Sequence, residues 1–167
     1  MSVSLDQMQI RALRKEDNAE LAQLIRATLK EFGANHPGTV YYDESTDHLY
    51  EVFAAEPRSF YQVAVLDGRI VGGAGIYPTE GLPPDTCELV KMYLYPQVRG
   101  LGLGKKLIND CLDFAAAKGY EYIYLETMPE LKQALNTYAR FGFEYIDKPM
   151  GNSGHFGCDL FMLKKLS

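Results

Sequence analysis

The chain has 167 residues, of which 47% are hydrophobic and 23% charged, and its formal net charge is −5. This length and composition predict one globular domain with a sizeable core. The negative charge argues against nucleic-acid binding, and the sequence contains neither an apolar run of membrane-spanning length nor the apolar core of a signal peptide, so we expect a cytoplasmic protein without nucleic-acid or membrane partners.

Taken in chain order, hydrophobic periodicity and turn residues predict seven strands and four helices. The strands are predicted at 8–13, 60–66, 69–77, 86–95, 120–126, 143–146 and 158–165. The helices are predicted from an N-cap at 17 or 18 to the glycine at 33, at 45–55, from a glycine-rich turn to about 118, and at 131–141. This order predicts a single α/β (α+β) domain with a mixed central sheet.

The turn before the third helix carries the strongest functional signal. Glycines stand at alternate positions, Gly100, Gly102 and Gly104, between a predicted strand and an amphipathic helix. Glycines let the backbone approach a ligand closely, and the first N–H groups of a helix have no internal partners and favour an anion. We therefore predict a phosphate or pyrophosphate site here, flanked by positive side chains at Arg99, Lys105 and Lys106.

Two common phosphate-binding motifs do not fit this turn. A P-loop requires Ser or Thr after Gly-Lys, but Lys106 follows Lys105. A dinucleotide fingerprint requires G-x-G-x-x-G near the start of the fold, and these glycines are central and spaced G-x-G-x-G. A nucleotide-binding enzyme is therefore a weak alternative.

Two segments carry a family resemblance. The turn 99–104, Arg-Gly-Leu-Gly-Leu-Gly, resembles the Arg/Gln-x-x-Gly-x-Gly/Ala signature of the GNAT superfamily of acetyl-CoA-dependent N-acetyltransferases. The segment 138–143, Tyr-Ala-Arg-Phe-Gly-Phe, resembles the later Tyr-x-x-x-Gly-Phe motif of the same superfamily. The resemblance implies a single GNAT-like domain over residues 1–167, with a mostly antiparallel sheet splayed between its fourth and fifth strands and about four flanking helices.

The resemblance also implies where acetyl-CoA binds. The pantetheine arm would pair with the strand backbone at Met92, Tyr93 and Leu94. The backbone of the turn would hold the pyrophosphate through residues Arg99, Gly100, Leu101, Gly102, Gly104 and Lys105. Many relatives carry an Asn seven residues before the helix Tyr to contact the pantetheine, but this sequence has Leu131 there, so that contact is missing or supplied by another group.

Glu88 is the candidate general base. Acetyl transfer to an amine requires removal of a proton from the amine, and a carboxylate beside an apolar strand can accept a proton near neutral pH. Glu88 lies near the start of the strand that leads to the turn, as does a Glu in many members of the superfamily. Two alternatives remain open: Glu88 binds a substrate ammonium group, or it has only a structural role, either as an exposed strand residue or as a partner of Lys91 or Arg69.

Tyr138 is the candidate general acid. Its phenol could donate a proton or a hydrogen bond to the departing thiolate of CoA. The alternative is a core aromatic on a helix that also presents Phe141. A backbone N–H near 92–94 could serve as the donor to the oxyanion.

Other residues are weaker candidates for the acceptor site. Glu126 ends the strand after the third helix, His155 lies in a late glycine-rich loop, and Tyr41 lies with His36 and Tyr42 in the loop before the second helix. Each has an ordinary structural role as its alternative. The acceptor itself stays open among small amines, amino acids, antibiotics and protein amines.

The cysteines and histidines show no metal-site or disulfide spacing, so we expect no bound metal. None of Cys87, Cys111 and Cys158 has a nearby histidine in sequence, which favours direct transfer in a ternary complex over an acyl-cysteine intermediate. The alternative to an enzyme is a CoA-binding sensor without catalysis. A homodimer is plausible because the late strands could present a sheet edge.

Overall fold

The computed structural model describes residues 2–152 and 159–166. Within this part of the chain there are seven strands, and every observed end lies within two residues of its prediction. The strands are β1 (Gln9–Ala12), β2 (Phe60–Leu66), β3 (Arg69–Tyr77), β4 (Thr86–Leu94), β5 (Tyr122–Thr127), β6 (Glu144–Ile146) and β7 (Leu160–Lys165).

Four α-helices occur in the same part of the chain: α1 (Asn18–Glu31), α2 (Leu49–Ala54), α3 (Leu103–Ala117) and α4 (Lys132–Arg140). Helix α2 is shorter than the predicted 45–55 because Glu44–Asp47 forms a separate 3₁₀ turn. His48, between the two, has φ −134° and ψ 37°, which interrupts the helical backbone.

The strands form one sheet in the order β1-β2-β3-β4-β5-β7-β6. β4 and β5 are parallel and pair only from Thr86–Tyr122 to Glu88–Tyr124, whereas the other neighbouring strands are antiparallel. Beyond Glu88, β4 stays paired with β3 and β5 stays paired with β7, so the two strands diverge. The predicted mixed, mostly antiparallel sheet splayed between its fourth and fifth strands is confirmed.

Helices cover both faces of the sheet. Because successive side chains of a strand point to opposite faces, Val63 packs with the core under α1 and α2, and Ala64 packs with the core under α3. The helical residues of the two cores are fully buried: Leu21, Leu24, Ile25, Leu29 and Leu49 on one face, and Leu103, Leu107, Ile108, Cys111 and Ala115 on the other.

Among the described residues, no helix combines the length and the apolar character needed to cross a membrane.

Candidate active site

The divergence of β4 and β5 opens a cleft of about 700 Å³. Residues 88–94 of β4 form one wall, and residues 125–128 together with α4 form the other. The glycine-rich turn closes one end. The volume lies within the roughly 300–1,000 Å³ that is typical of small-molecule and cofactor sites.

The turn at the mouth of α3 presents open backbone donors. The first hydrogen bond into the helix runs from the Lys106 N–H to the Gly102 carbonyl, at 3.0 Å. In the part of the chain that the structure describes, the N–H groups of residues 100–105 meet no acceptor. Gly100 and Gly102 have φ of +75° and +92°, a left-handed conformation that only glycine adopts without strain. This geometry can bind an anion.

The two lysines beside the turn differ in their surroundings. Lys105 lines the cleft and forms no salt bridge with a described residue. Lys106 instead pairs with Asp110 one helical turn later, with Nζ and Oδ1 2.8 Å apart. Lys105 is therefore the lysine of the turn that is available to a ligand in the cleft.

Arg99 is engaged by the protein itself. Its guanidinium forms a bidentate pair with Glu31 at the end of α1, at 2.6 and 2.8 Å, and donates to the Leu94 carbonyl at 3.1 and 2.8 Å. It also lies over the Phe32 ring, 4.9 Å from the centroid. The side chain thus ties α1 to the end of β4 beside the cleft.

The wall of β4 extends beyond the ladder that joins it to β5. That ladder ends at Glu88–Tyr124, and Met92, Tyr93 and Leu94 line the cleft beyond this point. Leu101, in contrast, packs its side chain against the core under α3 and is not among the residues that line the cleft. The edge of β4 beyond the ladder can pair with an extended ligand in the manner of an added strand.

Glu88 is buried at the point where the strands part. Its exposed fraction is 5%, and its Oε1 accepts a hydrogen bond from Thr79 Oγ1 at 2.5 Å. Arg69 lies at the opposite end of β3 from Tyr77, the residue that pairs with Glu88. Glu88 lines the cleft and also a smaller side cavity of about 180 Å³. Glu88 is therefore not an exposed strand residue, and Arg69 is not its partner.

A bulge in β4 separates Glu88 from Met92, Tyr93 and Leu94. Val90 pairs with Gly75 and Tyr93 with Gly73, so two residues of β4 oppose one residue of β3. Lys91, in the bulge, has φ of +53° and lines both cavities.

Tyr138 faces the cleft from α4. The residue is 7% exposed and packs its ring edge-to-face on Phe143, with centroids 5.9 Å apart. Among the described residues, its hydroxyl has no hydrogen-bond partner. Every fully buried side-chain oxygen of these residues does have one, so the Tyr138 hydroxyl is not fully buried and reaches the open cleft. Burial raises the pKa of Tyr138 well above its usual value, which keeps the phenol protonated as a donor.

Helix α4 supplies the remaining polar wall. Leu131, at its N-cap, lines the cleft where the resemblance predicted an Asn. Gln133, Asn136 and Thr137 also line it. Their amides and hydroxyl are the nearby polar groups that could replace the missing side chain.

Glu126 also lies in the cleft wall. Its Oε2 accepts a hydrogen bond from the Tyr124 hydroxyl at 2.8 Å, and that hydroxyl accepts one from the Met150 N–H at 3.2 Å. Burial and the neighbouring Glu126 raise the pKa of Tyr124. The network ties the segment around Met150 to β5.

The other candidates for the acceptor site lie elsewhere or outside the described residues. Tyr41 packs against the core under α1, and its ring contacts that of Tyr42. It is not among the residues that line either cavity. His36 pairs with Glu130 at 3.3 Å, also away from both cavities. His155 falls outside the described residues.

The described cysteines are poor nucleophiles. Cys87 and Cys111 are fully buried, and burial raises the pKa of the Cys87 thiol to about 12 and that of Cys111 further still. Cys158 falls outside the described residues. Within those residues there is also no cluster of three or more His, Cys, Asp or Glu side chains that could hold a metal ion.

Thr79 and Lys91 line the side cavity next to Glu88, and no sequence motif indicates either residue. Thr79 follows Pro78 in a loop, and nothing local indicates that it bonds to a strand residue nine positions later. Lys91 was considered only as a partner of Glu88, because its left-handed backbone has no local sequence signal.

Comparison with known proteins agrees with this architecture. The family described as Acetyltransferase (GNAT) family matches residues 21–143. The uncharacterized N-acetyltransferase YjgM of Escherichia coli K12 is 40% identical over 158 residues, which cover 94% of each chain.

Solved structures share the fold at low sequence identity. An acetyltransferase of the GNAT family from Staphylococcus aureus Mu50 has a TM-score of 0.81 at 20% identity, covering 96% of this chain and 99% of that one. The protein yncA from Salmonella typhimurium, solved with its cofactor acetyl-CoA, has a TM-score of 0.72 at 21% identity, covering 96% and 94%. With the match over most of its length and the splayed sheet, the chain belongs to the GNAT family and is an N-acetyltransferase.

Proposed function

We propose that this chain transfers an acetyl group from acetyl-CoA to a primary amine by direct attack in a ternary complex. The observation that carries the proposal is the cleft itself. It combines open backbone donors at one end with a buried carboxylate and a buried phenol further in.

The residues present fit acetyl-CoA. The N–H groups of residues 100–105 and the Lys105 side chain suit a pyrophosphate, since both supply positive potential to an anion. The stretch Met92, Tyr93 and Leu94, which lines the cleft beyond the end of the β4–β5 ladder, suits the amide-containing pantetheine arm. Arg99 contributes by holding Leu94 and Glu31 in place. When bound, acetyl-CoA supplies the acetyl group and the thiol leaving group, so one C–S bond breaks and one N–C bond forms.

The chain's own residues handle the two protons. Glu88 accepts the proton that the amine loses as its lone pair forms the new bond, directly or through a water. Tyr138, kept protonated by its burial, donates a proton or a hydrogen bond to the sulfur. Thr79 holds the Glu88 carboxylate in position through its 2.5 Å hydrogen bond. Glu126, and His155 of the late loop, are further proposed contacts to the acceptor.

The experiment is thiol release from acetyl-CoA over an amine panel, measured for the wild type, Glu88→Gln and Tyr138→Phe. We expect kcat to fall roughly 100-fold or more in each variant, because general acid and base groups typically contribute about 10²–10⁴. Calorimetric affinity for CoA should stay within about threefold of the wild-type value, as neither group is assigned to binding.

Glu144→Gln and Tyr145→Phe are matched controls. Both residues are exposed on β6, and Tyr145 is 58% exposed. Their activity should equal that of the wild type. Tight CoA binding without turnover of any amine would contradict the proposal and indicate a CoA sensor.

A further inference from the structure

A smaller cavity of about 180 Å³ opens beside the cleft and shares Glu88, Val90 and Lys91 with it. Its volume lies below the roughly 300–1,000 Å³ of sites for drug-sized ligands. It therefore suits a small molecule that reaches the proposed base from the side away from the pyrophosphate turn.

The backbone at this junction is held in an unusual conformation. Lys91 has φ of +53°, and its carbonyl accepts a hydrogen bond of 2.6 Å from the hydroxyl of Tyr61, which is itself buried. The Tyr61 hydroxyl lies over Gly73, where an added Cβ would stand only 2.7 Å from the hydroxyl oxygen. These contacts hold the Lys91 backbone in place and so fix the position of its Cα and Cβ atoms. Left-handed conformations of non-glycine residues cluster at functional sites.

The ammonium group at the end of this side chain makes no direct polar contact with a described residue. Within residues 2–152 and 159–166, Lys91 Nζ makes no hydrogen bond and no salt bridge. No fully buried side-chain nitrogen of these residues lacks a partner, so Nζ keeps some accessible surface, and Lys91 lines both cavities. Burial lowers the pKa of Lys91, and the negative charges of Glu88 and Asp43 offset part of this effect. A ligand anion would complete the environment of the ammonium group.

The side cavity carries both signs of charge next to an apolar surface. Glu88 and Asp43 are acidic, and Lys91 is basic. The apolar part comes from Leu49, Val52 and Phe53. A small molecule with an ammonium group, a carboxylate and a side chain matches this distribution.

We propose that Lys91 binds the α-carboxylate of the acceptor, so that the chain acetylates the α-amine of a free amino acid seated between the cleft and the side cavity. The inference rests on the proposed function. The amine faces Glu88, which takes its proton, and the carboxylate faces Lys91. Lys91 is thus a specificity-determining residue, and no bond to it forms or breaks.

The experiment compares each protein amino acid that has a primary α-amine with its α-carboxamide as acceptor in the thiol-release assay. The carboxamide keeps the shape and the amine but removes the negative charge. For the amino acids that the wild type turns over, we expect kcat/KM to exceed that of the carboxamide by about thirtyfold, the effect of losing one hydrogen bond to a charged group. Lys91→Met should lower kcat/KM for the amino acid by a similar factor and affect the carboxamide much less, while Lys91→Arg should retain most of the preference.

Lys165→Met is the matched control, because Lys165 is exposed at the far end of β7, opposite Tyr122. It should leave the preference unchanged. Calorimetric binding of CoA to Lys91→Met checks that the variant is folded, and if it is not, the wild-type comparison and Lys91→Arg decide.

The other outcomes overturn the inference. If the wild type turns over carboxamides, polyamines or peptides as well as it does amino acids, Lys91 does not select a carboxylate, although the proposed function survives. If Lys91→Met lowers kcat/KM equally for the amino acid and for its carboxamide, Lys91 acts on the thioester instead. If no amine releases thiol, the proposed function fails first and the inference fails with it.

Discussion

The two ends of the cleft are built in different ways. The turn at residues 99–105 is a backbone site, made from glycines with positive φ and helix N–H groups that follow one another in sequence. The inner end is a side-chain site, made from Glu88 and Lys91 of β4, Thr79 of the loop after β3, and Tyr138 of α4. A backbone site follows from a short motif, whereas a side-chain site depends on the packing of the whole fold.

The largest expected effect in the backbone site comes from Gly102→Val. Its φ of +92° is strained for any L residue by about 1–2 kcal/mol, and more for a β-branched one. The turn must rearrange, so we expect the Kd for CoA to rise by roughly tenfold or more, as measured by calorimetry.

Gly119→Val is the matched control for this substitution. Gly119 has a similar φ of +87° at the other end of α3, and an added Cβ there would meet nothing within 4 Å. It should lower the thermal midpoint about as much as Gly102→Val without weakening CoA binding. Equal losses of CoA affinity in both variants would contradict a backbone site at the turn.

In the side-chain site, Thr79→Val tests whether Glu88 must be held in place. The substitution removes the 2.5 Å hydrogen bond to Oε1 and keeps the side-chain shape. We expect kcat to fall by about three- to tenfold, in line with the loss of one hydrogen bond, while the KM for acetyl-CoA stays unchanged.

Thr39→Val serves as the comparison, since the Thr39 hydroxyl is buried and bonds to the His36 carbonyl away from both cavities. It should alter stability but not kcat. A Thr79→Val variant with full kcat would show that the position of Glu88 does not depend on this bond.

The same contrast explains what the sequence could predict. The strands and helices follow from local periodicity and turn residues, and the glycine spacing predicted the turn because each glycine acts on its own backbone. Glu88 was a candidate through its chemistry and its place on the strand before the turn, and Tyr138 through its motif, but the burial of both depends on packing. Arg99 pairs with Glu31, 68 positions earlier, and no local pattern indicates this contact. The sequence therefore suggested a positive charge available to a ligand, whereas the structure has an ion pair within the protein. The left-handed Lys91 is held by Tyr61, 30 positions earlier, and has no local signal.

A smaller effect on CoA binding is expected at Arg99, and it shows whether this residue positions the turn or contacts the phosphates. If Arg99 links α1 to β4, Arg99→Met and Glu31→Gln should both lower the thermal midpoint by a similar, small amount, since partly exposed ion pairs contribute little to stability. The Kd for CoA should then change by less than about threefold in either variant. If the guanidinium binds phosphate, Arg99→Met should weaken CoA binding about tenfold and Glu31→Gln should not. Calorimetry on both variants separates the two cases.

The smallest expected effect on turnover comes from a buried ion pair outside the cleft. Asp17 accepts hydrogen bonds from Arg11 at 2.7 and 3.0 Å and from the Arg14 N–H at 2.8 Å. Burial alone would raise the pKa of Asp17, but these hydrogen bonds lower it, and the net pKa lies below the usual 3.8. The pair therefore stabilises the fold fully above about pH 4, and this contribution is lost as the pH falls through the folded-state pKa.

Asp17→Asn should accordingly lower the free energy of unfolding at pH 7 by about 2 kcal/mol, the typical contribution of hydrogen bonds to a charged group. Urea denaturation at a series of pH values should show the difference in the free energy of unfolding between wild type and variant closing as the pH falls below about 4. Asp17 of the wild type then becomes protonated, and so is as uncharged as the Asn. At pH 7, and at a temperature where both proteins are folded, kcat should be unchanged. A gap that stayed constant with pH would mean that shape, rather than charge, accounts for the loss. A fall in kcat would mean that the cleft depends on packing beyond its own walls, which would weaken the distinction between its two ends.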